Sequence, residues 1–245
     1  MDSLTASKAY SKHDLTKPEV ILNLHFLRMM EENLHKHECF DHPFLVRFSK
    51  GAYNERAMKF ALIQFSKHIR LFTSCLAHLL GMAPDIRARV VLFDNLNEEL
   101  GKGELGGTHY MLYLRMLYSL EISQEEIDRT PPIVSMDLLN DGLITAVKRS
   151  FSAGLSWLGL GGELPIPNNF PYLAQGIRKC FASPDMRFFE RHGGPDEAHN
   201  DDSNMLLAMQ LNTDADREQV RAEVAKSLFL RAAVWTEMGE HTSRM

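Results

Sequence analysis

His192, Asp196 and His199 stand in an H-x3-D-x2-H pattern. On a helix, positions i, i+4 and i+7 share one face. Two imidazoles and a carboxylate would then converge on one point, a donor set that suits iron, manganese or zinc. The competing reading is a solvated polar face, because Glu197, Asn200, Asp201 and Asp202 crowd the same segment. Gly193, Gly194 and Pro195 weaken helicity just before Asp196, so the pattern straddles a kink or a helix start.

A second signal joins Glu99 to His109. Glu99 continues the apolar stripe of Leu92 and Leu96, whereas Glu98 lies about 100° round the helix. His109 begins the inward stripe of the following helix. A carboxylate on a core face needs a partner, since burying an unpaired charge is costly. That partner is a metal shared with His109, His109 itself in an ion pair, or water at a fraying helix end. Glu163 is a third signal, set in Leu158-Gly-Leu-Gly-Gly-Glu163-Leu-Pro. It reads either as a close-packed inward carboxylate or as part of a surface loop. Together the three signals supply Glu, His, Glu, His, Asp and His from three or four helices. Carboxylate-bridged metal pairs in helix bundles are built from such inward side chains.

The elements that must position these residues are helical. Thr16-Lys17-Pro18-Glu19 reads as a capping box, followed by Val20, Leu24, Leu27 and Leu34 on one stripe. Asn54 is placed to cap a helix carrying Met58, Leu62, Phe65, Ile69, Phe72, Leu76 and Leu79, with Gly81 at its stop. Pro84-Asp85 opens a helix to about Leu100. A Gly-rich link leads to Thr108 and a helix with His109, Leu112, Met116 and Leu120. Ser123 to Glu126 forms another capping box. One long helix is expected over about Ser135–Leu158, an irregular stretch over Gly159–Pro171, and a helix over about Pro171–Ala182. Pro184-Asp185 then starts the segment with Phe188, Phe189 and His192. The last helix carries Val220, Val224, Leu228 and Trp235. Strand alternation and internal repeats are absent. One all-α domain over 1–245, with 1–16 a polar N-terminal tail, is the simplest organisation.

Composition narrows the function classes. A net charge of −5 argues against a nucleic-acid partner. No apolar run approaches the ~20 residues of a membrane span, and the polar N-terminus lacks a signal-peptide core. Three scattered cysteines suit reduced thiols and a cytoplasmic location. Of the remaining histidines, His35, His37 and His42 with Cys39 read as a polar connector rather than a zinc site. His68 and His78 lie off the apolar stripe and read as surface positions or supports behind the ligands. Tyr110, Tyr113, Tyr172, Trp157 and the methionines read as core.

The order Glu99-(x9)-His109, Glu163, His192-(x3)-Asp196-(x2)-His199 resembles the haem-oxygenase-like di-iron oxidases and oxygenases. Asn97-Glu98-Glu99-Leu100-Gly101 and Phe188-Phe189-(x2)-His192 share in the resemblance. So does His42-Pro43-Phe44-Leu45 before a Gly51 turn, a feature also of the pyrroloquinoline-quinone synthases. The resemblance runs from about Pro43 to Asp202. It implies a seven- to eight-helix haem-oxygenase-like bundle that binds no haem. It implies two ferrous irons held by Glu99, His109, Glu163, His192, Asp196 and His199, with manganese the alternative at one position. It further implies activation of O2 and oxidation of an amine, amino-acid-like or fatty small molecule, by N-oxygenation or oxidative C–C or C–H chemistry, or formation of p-aminobenzoate, in a homodimer. Where the family has a clean helix around Glu163, this chain has Gly161, Gly162 and Pro165. Two other function classes stay open: a metal-free enzyme on the same fold, like the quinone synthases or thiaminase-like proteins, and a non-catalytic helical interaction protein.

Overall fold

The computed structural model of the protein describes residues 8–192 and 199–245, excepting the side chains of residues 199 and 200. Among the described residues there are thirteen α-helices and no strand. That exceeds the seven or eight expected, because one- and two-turn helices carry too few residues to show a period, and because one expected helix is two.

Helices α1 (Lys12–Leu15), α2 (Pro18–Leu34) and α3 (Pro43–Ser49) open the chain. Thr16 does not form the expected capping box. It closes α1, its hydroxyl donating to the Lys12 carbonyl at 2.9 Å, and the box belongs instead to Ser11 and Asp14. In the stretch read as a polar tail, Tyr10 is buried, with Arg87 4.7 Å from its ring centroid.

Helices α4 (Glu55–Met82) and α5 (Ile86–Glu99) start on side-chain caps, Asn54 accepting from the Ala57 N–H and Asp85 from the Ala88 N–H. Helix α4 passes through Gly81 for one more residue before Ala83 turns extended. Two 3-10 turns, Gly101–Gly103 and Leu105–Gly107, join α5 to α6 (His109–Ser119), capped by Thr108. Gly101 has φ +65°, and a Cβ there would strike the backbone of Gly107 and Thr108. Only glycine lets this link fold back so tightly.

Helices α7 (Gln124–Arg129), α8 (Val134–Arg149) and α9 (Phe151–Leu158) follow. The expected long helix breaks at Ser150, which is extended (φ −163°) and caps α9 by accepting from the Ala153 N–H. The stretch expected to be irregular is a π-helical turn, Gly159–Glu163, leading into α10 (Ile166–Cys180) with Pro171 inside it. The last elements are α11 (Arg187–Arg191), α12 (His199–Ala208) and α13 (Asp214–Thr242).

Helix α4 packs against α5, α6, α8 and α13, while α13 also packs against α9 and the π turn. At the core Trp235 stacks on Phe65 and on Phe44, with ring centroids 5.8 and 5.9 Å apart. No described helix is long and apolar enough to cross a membrane.

Candidate metal centre

Glu99 ends α5 and His109 begins α6, so the folded-back glycine link places them side by side. Both are buried. Glu98, one step round α5, faces outward to Lys102 at 3.0 Å. His192 follows α11, whose Phe188 and Phe189 are buried in the core. The ring of His192 lies against those of Phe188 and Phe170, with centroids 4.4 and 5.1 Å away, and its centroid is 4.5 Å from that of His109.

One ligand-type atom from each of Glu99, His109 and His192 falls within 4.8 Å of the other two. His109 Nδ1 is 2.9 Å from Glu99 Oε2, yet among the described residues neither ring nitrogen of His109 has a hydrogen-bond partner. The oxygen is close to the nitrogen but does not lie where an N–H would point. Two atoms aimed at a common third point are related in this way. With metal–ligand bonds of about 2.1 Å, ligands at right angles stand about 3 Å apart. A buried imidazole without hydrogen bonds carries a desolvation cost, and coordination of a cation by one of its nitrogens would lower it. His192 donates from Nδ1 to the Phe188 carbonyl at 2.8 Å. This leaves Nε2 as the unprotonated nitrogen, the tautomer that histidine ligands adopt. One carboxylate and two imidazoles fit a divalent first-row metal.

Glu163 joins the wall of the same cavity without entering that group of three. The π turn positions it: Gly161 is pressed against Ser227 of α13, and the Gly161 carbonyl accepts from Arg231 Nε at 3.1 Å. Single π turns inside helices recur at functional sites. Asp196 lies outside the described residues, and so does the side chain of His199, whose backbone opens α12. Asp202, read from sequence within a solvated face, is buried.

The cavity has a volume of about 60 Å³. Phe65, Ile69, Phe72, Ile166, Phe170 and Phe188 form its apolar wall. Two polar residues that the sequence reading did not place there also line it, His68 and Arg231. His68 is not a surface position. It is buried, and its Nδ1 is 2.8 Å from Asn140 Oδ1. Burial first, and then the Arg231 guanidinium, push its pKa down to about 4, so the ring is neutral near pH 7. Arg231 was legible as a cation on the apolar stripe of Val224, Leu228 and Trp235. His42 caps α3 by accepting from the Phe44 N–H and pairs with Thr236, while Cys39 is buried, its thiol pushed up to about 12. Those contacts leave the connector no converging zinc ligands among the described residues.

The model of a family described as iron-containing redox enzyme matches residues 59–232. The chain is 26% identical over 217 residues to the 4-aminobenzoate synthase of Chlamydia trachomatis serovar D, covering 86% of this chain and 91% of that one. Among solved structures it is similar to a CADD-like protein of unknown function from Nostoc punctiforme, with a TM-score of 0.76, 15% identity, and 91% and 99% of the two chains covered. It is also similar to a domain of unknown function with a heme oxygenase-like fold from Shewanella denitrificans, with a TM-score of 0.66, 17% identity, and 88% and 90% covered. The fold is thus haem-oxygenase-like and all-α.

Proposed function

Since the chain belongs to the iron-containing redox enzyme family, we propose that it is an O2-dependent non-haem di-iron oxidase or oxygenase acting on a small organic substrate. The observation that carries this reading is the approach of Glu99 Oε2 to His109 Nδ1, 2.9 Å apart and buried, with both ring nitrogens lacking hydrogen bonds among the described residues. Glu99, His109 and His192, with Glu163 on the same cavity wall, would hold iron. Asp196 and His199 complete the proposed six, and manganese at one position is the variant of this scheme. Ferrous iron held there would supply electrons for the reduction of O2.

The chain's own residues set the conditions for that chemistry. Phe188 holds His192 in one orientation and one tautomer through its carbonyl. The phenylalanine and isoleucine wall keeps water from the oxidising site and gives an apolar substrate its contact surface. Amine, amino-acid-like and fatty substrates fall within the proposal, with N-oxygenation or oxidative C–C or C–H chemistry. Formation of 4-aminobenzoate, expected from the resemblance, is also in that set, and the Chlamydia relative's name supports its inclusion.

Anaerobic titration of metal-free protein with Fe(II), followed by O2 uptake, tests the proposal. About two ions per chain and iron-dependent O2 consumption are expected. Saturation below one ion rules out the two-metal reading.

A further inference from the structure

Arg231 is 5% exposed and projects from α13 into the cavity of the candidate metal centre. Among the described residues no carboxylate pairs with it. A guanidinium carries five N–H donors. Nε donates to the Gly161 carbonyl at 3.1 Å, and Nη2 faces His68 Nε2 at 3.5 Å. The remaining Nη hydrogens have no protein acceptor among the described residues. Burying a cation without a counter-charge is unfavourable unless something else supplies one.

The surroundings aim the fork rather than neutralise it. Asn140 Oδ1 accepts from His68 Nδ1, which leaves His68 Nε2 as a lone pair facing Arg231. The Gly161 carbonyl holds Nε from the other side. Among the described residues the guanidinium is therefore held by two neutral acceptors and by no carboxylate, and it lines the cavity.

We propose that Arg231, oriented by His68 and Gly161, is the binding subsite for a carboxylate group of the substrate, and that the substrate is an acid on an apolar or aromatic body. The inference rests on the proposed function and names the substrate class of that same site. A planar carboxylate matches the guanidinium fork bidentately. A single guanidinium suits a monoanion, and among the described residues lining the cavity a phosphate dianion would meet one guanidinium beside Glu99 and Glu163. The apolar wall, Phe65, Phe72 and Ile166 among it, suits the rest of the molecule. The volume of about 60 Å³ suffices for the carboxylate end of such an acid.

The test uses the full chain loaded with zinc as a redox-silent ion. Calorimetric titration compares benzoate and hexanoate with benzamide and hexanamide, their uncharged counterparts. At least one acid should bind about tenfold or more tightly than its amide, the effect of hydrogen bonds to a charged group. In Arg231→Met that preference should disappear. Arg231→Lys, which keeps the charge and loses the fork, should bind the acid more weakly than the unaltered chain. It replaces the methionine variant should that one not fold. Equal binding of acid and amide by the unaltered chain overturns the proposal. So does an acid preference that survives in Arg231→Met, since it would come from the zinc alone, or undiminished acid binding by Arg231→Lys. Zinc uptake is measured first and separately. If the chain takes up no zinc, the metal reading fails, while the acid-against-amide comparison still decides the role of Arg231 in the metal-free chain.

Discussion

His192 Nδ1 and the carbonyl of Phe188 are 2.8 Å apart, one helical turn from each other. The bond couples an element of the core to an element of the site, because Phe188 is buried against Tyr113 and Phe170. The imidazole is thereby aimed by packing, before any ligand arrives. Replacing His192 with alanine should lower Fe(II) affinity by at least about 100-fold, since losing even an outer partner of a metal ligand costs about 10–100-fold. The loss of ring contacts should cost only about 1 kcal/mol of stability. Anaerobic Fe(II) titration and urea unfolding of the variant measure the two effects. Unchanged affinity removes His192 from the ligand set.

Metal binding should also be visible as stability. A ligand that binds only the folded state adds about 2.7 kcal/mol at 100 times its Kd. For a chain of this size 1 kcal/mol moves Tm by about 2–4 °C. Fe(II) added without oxygen to chelator-treated protein should therefore raise Tm by about 5–10 °C. In Glu99→Gln, which breaks the buried Glu99–His109 pair, the rise should shrink to a small fraction. Equal shifts in both proteins would place the metal elsewhere.

Acid sensitivity follows from His68. Its pKa is pushed from 6.5 down to about 4, by burial and then by Arg231. Between these values the unfolded chain binds a proton that the folded chain does not. The contribution is complete above about pH 6.5 and is lost as pH falls toward about 4. The gap corresponds to on the order of 3 kcal/mol. His68→Gln keeps a partner for Asn140 and removes the titration. Urea midpoints at pH 7 and 4.5 should differ less in this variant than in the unaltered protein. Parallel losses in both would assign the acid limb to other groups.

What the sequence reveals of this molecule depends on whether a residue's environment is local. Glu99 and His109 stand out because each occupies an apolar stripe, and helix periodicity alone puts both inside. The caps at Asn54, Asp85, Thr108 and Ser123 are legible for the same reason, since a cap bonds within its own first turn. Thr16 fails as a cap because Ser11 and Asp14 build a competing turn just before it. The helix around Glu163 is hidden by Gly159, Gly161, Gly162 and Pro165, which read as a loop. Contacts distant in sequence, from Ser227 and Arg231, accompany its winding into a π turn. The surface reading of His68 fails, for His68 stands three residues after Phe65 and four before Phe72, on their stripe; its partner Asn140, 72 residues away, is what the local pattern does not show.

Gly161 tests whether that turn matters to the site. A Cβ at Gly161 would overlap the buried Ser227 side chain and come within 3.3 Å of the Ser156 carbonyl. Neither neighbour can swing aside, because Ser227 sits on the packed face of α13 and the carbonyl belongs to the α9 backbone. Alanine should therefore push the π turn away from α13, at a cost of about 1–3 kcal/mol. Glu163 is two residues further along that turn, and the Gly161 carbonyl is also the anchor of Arg231 Nε. Both wall residues should shift with it, so iron affinity should fall although Gly161 offers no side chain to a metal. Gly81→Ala is the control: nothing lies within 4 Å of its built Cβ. It should leave iron binding unchanged and stabilise α4 by up to about 1 kcal/mol. Urea unfolding and Fe(II) titration of the two variants separate a turn that merely fills space from one that sets the site. If Gly161→Ala lost stability yet bound iron as the unaltered chain does, Glu163 would not be a ligand held by this turn.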